Sequence, residues 1–506
     1  MKLQTAALLA VFGMGGSTAL AMSVPVSAAT PEVVAESPDD KPATDAKDLS
    51  RFSDGDTLTV EARLGHATLT KGANGETYLF AQVSGAQSAQ SAPPLNLAIA
   101  IDRSGSMKGD RISNAIAAAT GVVQRMRDGD SIAVISFDTS SDAVVPPTIV
   151  SASTRPSIEA RIRAIRLGGD TCISCGLDRA MTELSSSSLP PERVSRIILL
   201  SDGVTNHGIT DMPGMKSIAA RVRDRGVAIT TIGVDVDFDE KMMAAIAVES
   251  NGRHYFVATP SGLPSIFAQE FDTLLASVAR DVDMRVELAP GVEVEQVFDR
   301  SFRRDGNAVV VPFGTFGSKQ DKTVLMKLRV PADRDGARPV AEVRVAYRDL
   351  VKRADGNCGG DLALRVVSDG SAQAELDPFV AARLERSRTS QSLTEANLLF
   401  EEGRVDEARA RLATQGDALQ KQRITARHAM PMAKPFGHMG GGGLDDDFDK
   451  QSAALAQAEA NFGPSPTTAT IPGSAAAPAP ANAAPASRQG KEQVRMNQQN
   501  ATDLAF

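Results

Sequence analysis

Between residues 94 and 281 the chain alternates short apolar runs with segments of helical periodicity. Leu95 to Ile101 is continuously apolar, as expected for a strand that is buried on both faces. Apolar residues at every third or fourth position then predict a helix over Arg111 to Met126. Further strands are predicted at 131–137, 143–150, 196–200, 227–234 and 253–257, with helices between most of them. This alternation predicts a doubly wound, Rossmann-like α/β domain with a mostly parallel sheet.

After residue 282 the apolar positions alternate with a period of two. The run Val324, Met326, Leu328 and Val330 is an example, and this spacing is typical of antiparallel strands. Similar strands before the α/β domain are too few to be stable alone. We therefore expect residues 51–93 and 282–368 to form one antiparallel β-sandwich, in which the α/β domain is inserted or by which it is flanked.

The amino-terminal stretch has the features of a signal for export. Within residues 1–28, Lys2 precedes a glycine-broken apolar run, and small-residue patterns predict cleavage after Ala21 or Ala28. Residues 29–50 are rich in Pro, Asp, Glu and Ala, which predicts a disordered linker. We therefore expect a periplasmic, extracellular or surface-associated protein whose mature chain has no transmembrane anchor.

The carboxy-terminal region is predicted to contain a helical hairpin followed by a tail. Over residues 369–428, Asp377-Pro378 is typical of a helix start, Gly403 marks a turn, and the spacing resembles one tetratricopeptide hairpin. One such unit cannot bury its own apolar face, so it must pack on the body or bind a partner. Residues 429–506 are rich in Gly, Ala and Pro and are predicted to be mostly disordered, apart from a short helix near 453–462.

Composition narrows the possible functions by exclusion. The 506-residue chain has a net charge of -8, no tryptophan and 3 tyrosines. It lacks the positive charge of a nucleic-acid binder and the aromatic side chains that stack on bases or sugars. It also contains no Gly-x-Ser-x-Gly nucleophile motif and no Walker-type phosphate loop. We expect a protein that is not an enzyme and that binds no nucleic acid.

The cysteines allow two interpretations. Cys172 and Cys175 are separated by two residues, whereas Cys358 stands far away. In an oxidising compartment the pair would form a local disulfide and leave one spare thiol. Because a helix is predicted to begin at the pair, and a helix N-terminus lowers the pKa of a thiol, the pair could instead be redox-active.

Polar residues follow two strands of the predicted sheet. Asp102-Arg103-Ser104-Gly105-Ser106 comes directly after the first strand, and Asp202 directly follows the fourth. In a sheet of strand order 3-2-1-4-5-6, these strands are neighbours at the crevice where ligands bind. The two aspartates are therefore predicted to face each other over one site.

The residue types at this site suit a hard cation. Two carboxylates and several hydroxyls form an oxygen site of the kind that Mg²⁺ prefers. We expect Gly105 to let the loop turn tightly, so that Ser104 and Ser106 converge on the metal. Thr171, in Gly168-Gly169-Asp170-Thr171, would add a third hydroxyl.

At these residues the sequence resembles the von Willebrand factor type A (VWA) domain with its metal-ion-dependent adhesion site, in a bacterial exported form. The family pattern is Asp-x-Ser-x-Ser, a Thr in a Gly-Gly-Thr loop and a later Asp-Gly step. The matching residues are Asp102, Ser104, Ser106, Thr171 and Asp202. The resemblance implies that the hydroxyls bind Mg²⁺, Mn²⁺ or Ca²⁺ directly, that the aspartates act largely through water, and that an Asp or Glu of a protein partner completes the shell.

One residue departs from the family pattern. Asp170 is interposed between the double glycine and Thr171. Its charge could add to the metal site and weaken the demand of the cation for an external carboxylate.

The resemblance predicts a protein-binding or adhesion module that depends on a divalent cation. An arrangement with flanking β structure resembles inter-alpha-trypsin-inhibitor-like and related bacterial surface proteins. Two other functions stay open. One is an envelope thiol or redox protein that uses Cys172 and Cys175, and the other is a metal-independent assembly scaffold that uses the hairpin and tail.

Overall fold

The computed structural model describes residues 48–88, 93–186, 192–370, 374–429, 443–462 and 485–505. The signal peptide and most of the linker predicted from the sequence lie outside these residues. In the part of the chain that is described, no helix is long and apolar enough to cross a membrane.

Strands and helices are numbered here along the chain. The strands are β1 Arg51–Gly55, β2 Leu58–Leu64, β3 Thr68–Thr70, β4 Glu76–Gly85, β5 Leu95–Asp102, β6 Ser131–Phe137, β7 Ser141–Ile149, β8 Val194–Ser201, β9 Ala228–Val234, β10 His254–Val257, β11 Ser277–Leu288, β12 Glu293–Phe298, β13 Arg303–Asp305, β14 Ala308–Gly317, β15 Asp321–Arg329, β16 Gly336–Asp349 and β17 Ala354–Val367. The helices are α1 Asp110–Arg125, α2 Arg155–Arg163, α3 Ile173–Ser186, α4 Met212–Arg223, α5 Glu240–Glu249, α6 Leu263–Leu275, α7 Pro378–Glu401, α8 Val405–Ala429, α9 Leu444–Asn461 and α10 Arg488–Ala505.

A six-stranded sheet of order β10-β9-β8-β5-β6-β7 is the centre of the α/β domain. All of its neighbouring pairs are parallel except β6 and β7. Strand β5 is buried along its whole length, because helices cover both faces of the sheet. Helices α1, α2 and α6 cover one face, and α3, α4 and α5 cover the other. The prediction of a doubly wound α/β fold is confirmed, and β5 and β8 are neighbours at the point where the winding reverses.

Two further sheets share one apolar core. Their strand orders are β1-β2-β4-β15-β12 and β13-β14-β11-β16-β17-β3. Strand β4 precedes the α/β domain and β15 follows it, yet the two pair over their length, with Phe80 opposite Leu325. The α/β domain therefore lies, in sequence, between two halves of one β structure. The short pair of β17 with β3 is parallel, whereas the other pairs are antiparallel.

The carboxy-terminal helices form a bundle around α7. Helices α8, α9 and α10 share with α7 one cluster of buried apolar residues, which includes Phe400, Phe448, Leu455 and Leu504. The sequence predicts mostly disorder for residues 429–506, and the structure differs in its described parts, 443–462 and 485–505. These segments are helical because they pack on α7. Helix α7 buries residues around most of its circumference, so a single partner helix cannot cover it.

Helix α10 also contacts the α/β domain. Lys491 Nζ lies 2.8 Å from Asp237 Oδ1, and Gln499 Oε1 accepts a hydrogen bond of 3.0 Å from the backbone N–H of Phe256. Its opposite side packs on α7, where Ser390 Oγ donates to the backbone carbonyl of Ala501 at 2.7 Å. The last described helix therefore links the helical bundle to the edge of the parallel sheet.

Candidate metal centre

Asp102 is the last residue of β5 and is fully buried. Its Oδ1 accepts a 2.8 Å hydrogen bond from the backbone N–H of Ser104, and its Oδ2 accepts one of 2.6 Å from Ser201 Oγ. Burial raises the pKa of Asp102 to about 6, although the hydrogen bonds from Ser201 and Ser104 act in the opposite direction. A carboxylate removed from water in this way is stabilised by a nearby positive charge.

The two predicted serines and Asp202 form one connected cluster. Ser104 Oγ lies 3.0 Å from Ser106 Oγ, and Ser106 Oγ donates to Asp202 Oδ1 at 2.7 Å. Asp202 directly follows β8, and the pairing of β5 with β8 carries it to the same end of the sheet as Asp102. The oxygens predicted from two distant parts of the sequence therefore lie together.

Thr171 faces the same space from a third loop. It is buried, and its backbone N–H donates to Asn206 Oδ1 at 2.9 Å. A methyl group placed on Gly203 would lie 3.3 Å from Thr171 Oγ1 and 3.6 Å from Ser106 Oγ. Gly203 therefore keeps open the space that the two hydroxyls border.

The glycines of the site loops have different roles. A methyl group on Gly168 would lie 1.8 Å from Asp138 Oδ2, so a larger residue here would force the carboxylate or the loop to shift. A methyl group on Gly105 would meet no atom within 4 Å, and the φ angle of Gly105 is outside the left-handed region. Ser104 and Ser106 converge as expected, but the geometry of the turn does not need a glycine at position 105. The two loops are joined instead by backbone hydrogen bonds, from Gly105 to the carbonyl of Gly169 at 3.1 Å and from Gly168 to that of Arg103 at 2.7 Å.

Asp170 lies on the outside of its loop. Its backbone N–H donates to Thr139 Oγ1 at 3.0 Å, and the residue is exposed. Among the described residues, no hydrogen bond or ion pair to its carboxylate is found. The structure thus does not bring the Asp170 side chain into the hydrogen-bonded cluster of Ser104, Ser106 and Asp202.

Arg111 is a neighbour of the site that the sequence analysis did not single out. Its Nη1 donates to Asp202 Oδ2 at 2.6 Å and to the backbone carbonyl of Ser106 at 3.0 Å, and its Nη2 donates to Asp235 Oδ2. Asp235 directly follows β9, so the strand-end argument that identified Asp202 could also have identified it. Arg111, by contrast, lies near the start of a helix and not at a strand end, so this argument could not have identified it.

The cysteine pair lies beneath one of the site loops. Cys172 and Cys175 are joined as a disulfide, and Cys172, which follows Thr171, is fully buried. A methyl group on Gly208 would lie 2.6 Å from Cys172 Sγ, so the loop after Asp202 passes directly over the disulfide. Cys358 is a buried free thiol in β17, and burial raises its pKa to about 12.

Large apolar side chains are exposed on the loops that surround the site. Val204 is 54% exposed, Leu167 is 42% exposed and Ile209 is 38% exposed. Val204 and Ile209 follow Asp202 in one loop, and Leu167 begins the loop that carries Thr171. We call these three residues the apolar rim. Exposed apolar residues that are grouped together are typical of protein-binding surfaces, whereas single ones are ordinary.

The residues of the site fit a hard cation. In the described part of the chain, no group of three or more His, Cys, Asp and Glu side chains could hold a metal ion. The cluster here consists instead of two carboxylates and three hydroxyls, and Mg²⁺ and Ca²⁺ take oxygen ligands of these kinds. Each hydroxyl oxygen has two lone pairs, so a serine that donates to a carboxylate can still bind a cation.

The comparisons with known proteins match mainly the α/β domain. Residues 96–269 match the family model of the von Willebrand factor type A domain. The chain is 28% identical over 274 residues to "Uncharacterized protein YfbK" of Escherichia coli (strain K12), covering 51% of this chain and 46% of that one. It is 25% identical over 197 residues to inter-alpha-trypsin inhibitor heavy chain H1 of Sus scrofa, covering 38% of this chain and 22% of that one. The similarity thus spans less than half the length of these relatives.

A solved structure shares the fold over a larger part of the chain. It is described as a von Willebrand factor type A protein from Catenulispora acidiphila, and it superposes with a TM-score of 0.62 at 17% sequence identity. The match covers 81% of this chain and 90% of that structure. At this identity the likeness shows the fold.

Proposed function

We propose that this chain, which contains a von Willebrand factor type A domain, binds another protein through a divalent cation and has no enzymatic activity. Domains of this family generally mediate protein–protein interactions. The observation that carries the proposal is the position of Ser106, whose Oγ contacts Ser104 Oγ at 3.0 Å and Asp202 Oδ1 at 2.7 Å. Hydroxyls and a carboxylate from two strand ends thus form one oxygen cluster at the crevice of the sheet.

In this proposal Ser104, Ser106 and Thr171 hold the cation through their hydroxyls, while Asp102 and Asp202 supply negative charge. The proposed cation is Mg²⁺, and Mn²⁺ and Ca²⁺ are the alternatives because they also take oxygen ligands. When bound, it supplies a positive centre that a carboxylate of the partner can reach. Arg111 supports this role because it already engages Asp202 Oδ2 at 2.6 Å. One acidic oxygen is thereby occupied, which leaves the cation in need of an external acid.

The apolar rim supports a protein as the partner. Val204, Ile209 and Leu167 offer exposed apolar surface around a site of charged and hydroxyl groups. Protein interfaces combine such apolar contacts with a few well-placed polar ones. We expect the partner to present an Asp or Glu side chain within an apolar surface.

The exported location is part of the proposal and rests on the sequence of residues 1–28. The disulfide of Cys172 and Cys175 agrees with an oxidising compartment. The burial of Cys172 beneath the loop after Asp202 favours a structural role over thiol exchange. Resistance of this disulfide to reduced glutathione in the native protein is therefore expected, and ready reduction would favour the redox alternative.

A metal-independent scaffold is less well supported. Most large apolar residues of the helical hairpin are covered within the bundle, because α9 and α10 pack on α7, whereas Leu398 and Ile424 are exposed. The hairpin therefore has its own partners in the chain. Partner capture that persists undiminished in EDTA would favour the scaffold.

The cation proposal can be tested by titrating Mg²⁺ while thermal unfolding is followed. A ligand at about 100 times its Kd stabilises the folded state by about 2.7 kcal/mol, so Tm should rise measurably in the wild type. Ser106→Ala should abolish the rise, whereas Ser217→Ala, on an exposed face of α4, should preserve it. Equal shifts in all three proteins would refute the site.

The role of the cation in binding needs a second experiment. An envelope extract passed over the immobilised wild-type protein should yield a partner in Mg²⁺ and lose it in EDTA. The Ser106→Ala protein should capture none of it, and Ser217→Ala should capture it as the wild type does. Capture by Ser106→Ala at the wild-type level would refute metal-dependent binding.

A further inference from the structure

A cavity of about 350 Å³ lies where the α/β domain, the β-sandwich and α10 meet. Arg253 and Tyr255 line it from the α/β domain, Lys322 from the sandwich, and Thr502 from α10. It lies on a different part of the domain from the candidate metal centre, none of whose residues lines it. We call it the three-way cavity.

Four basic side chains line the three-way cavity. They are Arg196, Arg253, Arg300 and Lys322. Arg196, Arg300 and Lys322 are buried, with 7%, 8% and 8% of each residue exposed. Burial and the charges of Arg300, Arg196 and Arg253 lower the pKa of Lys322 well below its ordinary value. Burial, followed by the charge of Arg383, lowers the pKa of Arg300 to about 9. Burial is the larger cause of both shifts, and the contribution of the neighbouring charges shows that the basic groups lie close enough to repel one another.

The acidic residues of the cavity do not balance the positive charge of its buried basic side chains. Glu270 is buried, but its carboxylate already accepts hydrogen bonds from Thr230 Oγ1 at 2.6 Å and from the Tyr255 hydroxyl at 3.1 Å. Asp321 and Asp503 also line the cavity, and both residues are exposed overall, although burial raises the pKa of Asp503. Lys322 Nζ donates to the backbone carbonyls of Phe313 at 2.7 Å and Thr315 at 2.8 Å, and Arg300 Nε donates to that of Thr323 at 3.0 Å, so neutral acceptors hold these two groups.

Arg196 has an acidic neighbour, Glu270, but one of its nitrogens makes no hydrogen bond to the described residues. Its Nε lies 3.8 Å from Glu270 Oε1, which is beyond hydrogen-bonding distance, and has no hydrogen-bond partner among the described residues. Burying a guanidinium nitrogen without a partner costs free energy of folding, which an added acceptor would recover. A ligand oxygen beside Arg196 would be such an acceptor.

The lining also indicates the kind of ligand. Thr315 adds a hydroxyl group, whereas the hydroxyls of Thr273 and Thr502 already donate to the carbonyls of Gln269 at 3.0 Å and Gln498 at 2.9 Å. Few apolar side chains take part. Guanidinium groups pair with the oxygens of phosphate and carboxylate groups in two parallel hydrogen bonds. We propose that the three-way cavity binds a small phosphate-type oxyanion, either inorganic phosphate or the phosphate group of a small metabolite. Contacts to all three parts would make the bound anion a link between them.

The first test uses the full mature chain in EDTA, so that no divalent cation contributes. Inorganic phosphate should raise Tm by several degrees, while chloride at equal ionic strength should leave it nearly unchanged. Calorimetric titration gives the Kd. Equal effects of phosphate and chloride would overturn the proposal. Because the cation is absent throughout, such a failure leaves the metal proposal untouched.

The second test assigns the binding to the cavity. Arg253→Gln removes a half-buried charge and should weaken phosphate binding by about tenfold or more. Arg221→Gln, an exposed arginine of α4 outside the cavity, is the matched control and should bind as the wild type does. Arg196→Met changes a buried residue of the cavity lining and should also weaken phosphate binding. Wild-type affinity in both cavity variants would overturn the assignment.

A third measurement distinguishes a phosphate-type ligand from a carboxylate, and inorganic phosphate from a phosphorylated metabolite. Sulfate should compete with phosphate because it is a tetrahedral dianion, whereas succinate should bind more weakly. A stronger effect of succinate would contradict the phosphate class. A sugar phosphate that binds more tightly than phosphate would identify a metabolite as the ligand, and equal or weaker binding would favour inorganic phosphate.

Discussion

Arg111 donates a hydrogen bond of 2.6 Å to Asp202, so a fixed positive charge shares one carboxylate with the candidate metal centre. The same guanidinium also binds Asp235, whose other oxygen lies 2.5 Å from Arg488 Nη1 at the start of α10. Asp235 adopts a positive φ of 65°, which is uncommon for residues other than glycine. A chain of alternating charges thus connects the site with the carboxy-terminal helix.

Replacing Arg111 with methionine should strengthen Mg²⁺ binding. A positive charge beside a cation site opposes the cation, and Asp202 Oδ2 is released when the guanidinium is removed. We expect a decrease in Kd of about fivefold to tenfold, corresponding to about 1 kcal/mol, by calorimetry. Arg125→Met, on the same helix with an exposed partner, Asp272, should leave Kd unchanged. Weaker Mg²⁺ binding in Arg111→Met would contradict this account.

Two glycines of the site loops should respond differently to alanine. Gly168→Ala places a methyl group against the carboxylate of Asp138, so the loop before Thr171 must shift. We expect a loss of about 1–3 kcal/mol in the free energy of unfolding, together with weaker Mg²⁺ binding. Gly105→Ala meets no atom and should change stability by less than about 0.5 kcal/mol. Urea unfolding measures both variants, and a loss in Gly105→Ala as large as that in Gly168→Ala would be evidence against the structure of the loops.

Helix α10 should contribute strongly to stability. Val494 and Leu504 are buried against the bundle, at 4% and 7% exposure. An aspartate at either position would bury a charge without a partner, and we expect a loss of about 2–4 kcal/mol in urea unfolding. Asn500→Asp, at a partly exposed position of the same helix, is the control and should have a small effect. Wild-type stability in Val494→Asp and Leu504→Asp would show that α10 does not pack as described.

The thiol of Cys358 should be unreactive in the native protein. The residue is 4% exposed, and burial raises its pKa to about 12, so very little thiolate exists at neutral pH. A thiol reagent such as DTNB should detect no fast-reacting group in native protein and one group per chain in denaturant. More than one group in denaturant without reductant would show that Cys172 and Cys175 are not joined.

The sequence alone was enough to predict the α/β fold and to single out the residues proposed for the site. Buried parallel strands must be almost continuously apolar, so polar residues such as Asp102 and Asp202 at their ends are conspicuous. The strand order then brings them together without any knowledge of side-chain contacts. Thr171 was recognisable because its loop resembles a family pattern.

Other features depended on contacts between residues that are far apart in the chain. Arg111 has no sequence signal, because an arginine near the start of a helix is ordinary until Asp202 and Asp235 are seen beside it. Likewise, the tail resembles a disordered segment by composition, and its helices are stabilised only where they cover α7.

What the sequence determined by itself was local: the period of the apolar residues, the polar ends of the strands and the position of the cysteine pair. What only the tertiary structure decided was how charges are paired and which surfaces are covered. The three-way cavity is the clearest case, since Arg196, Arg300 and Lys322 come from strands and loops of two domains. Electrostatic interactions depend on distance and burial in space, and neither quantity can be read from positions along a chain.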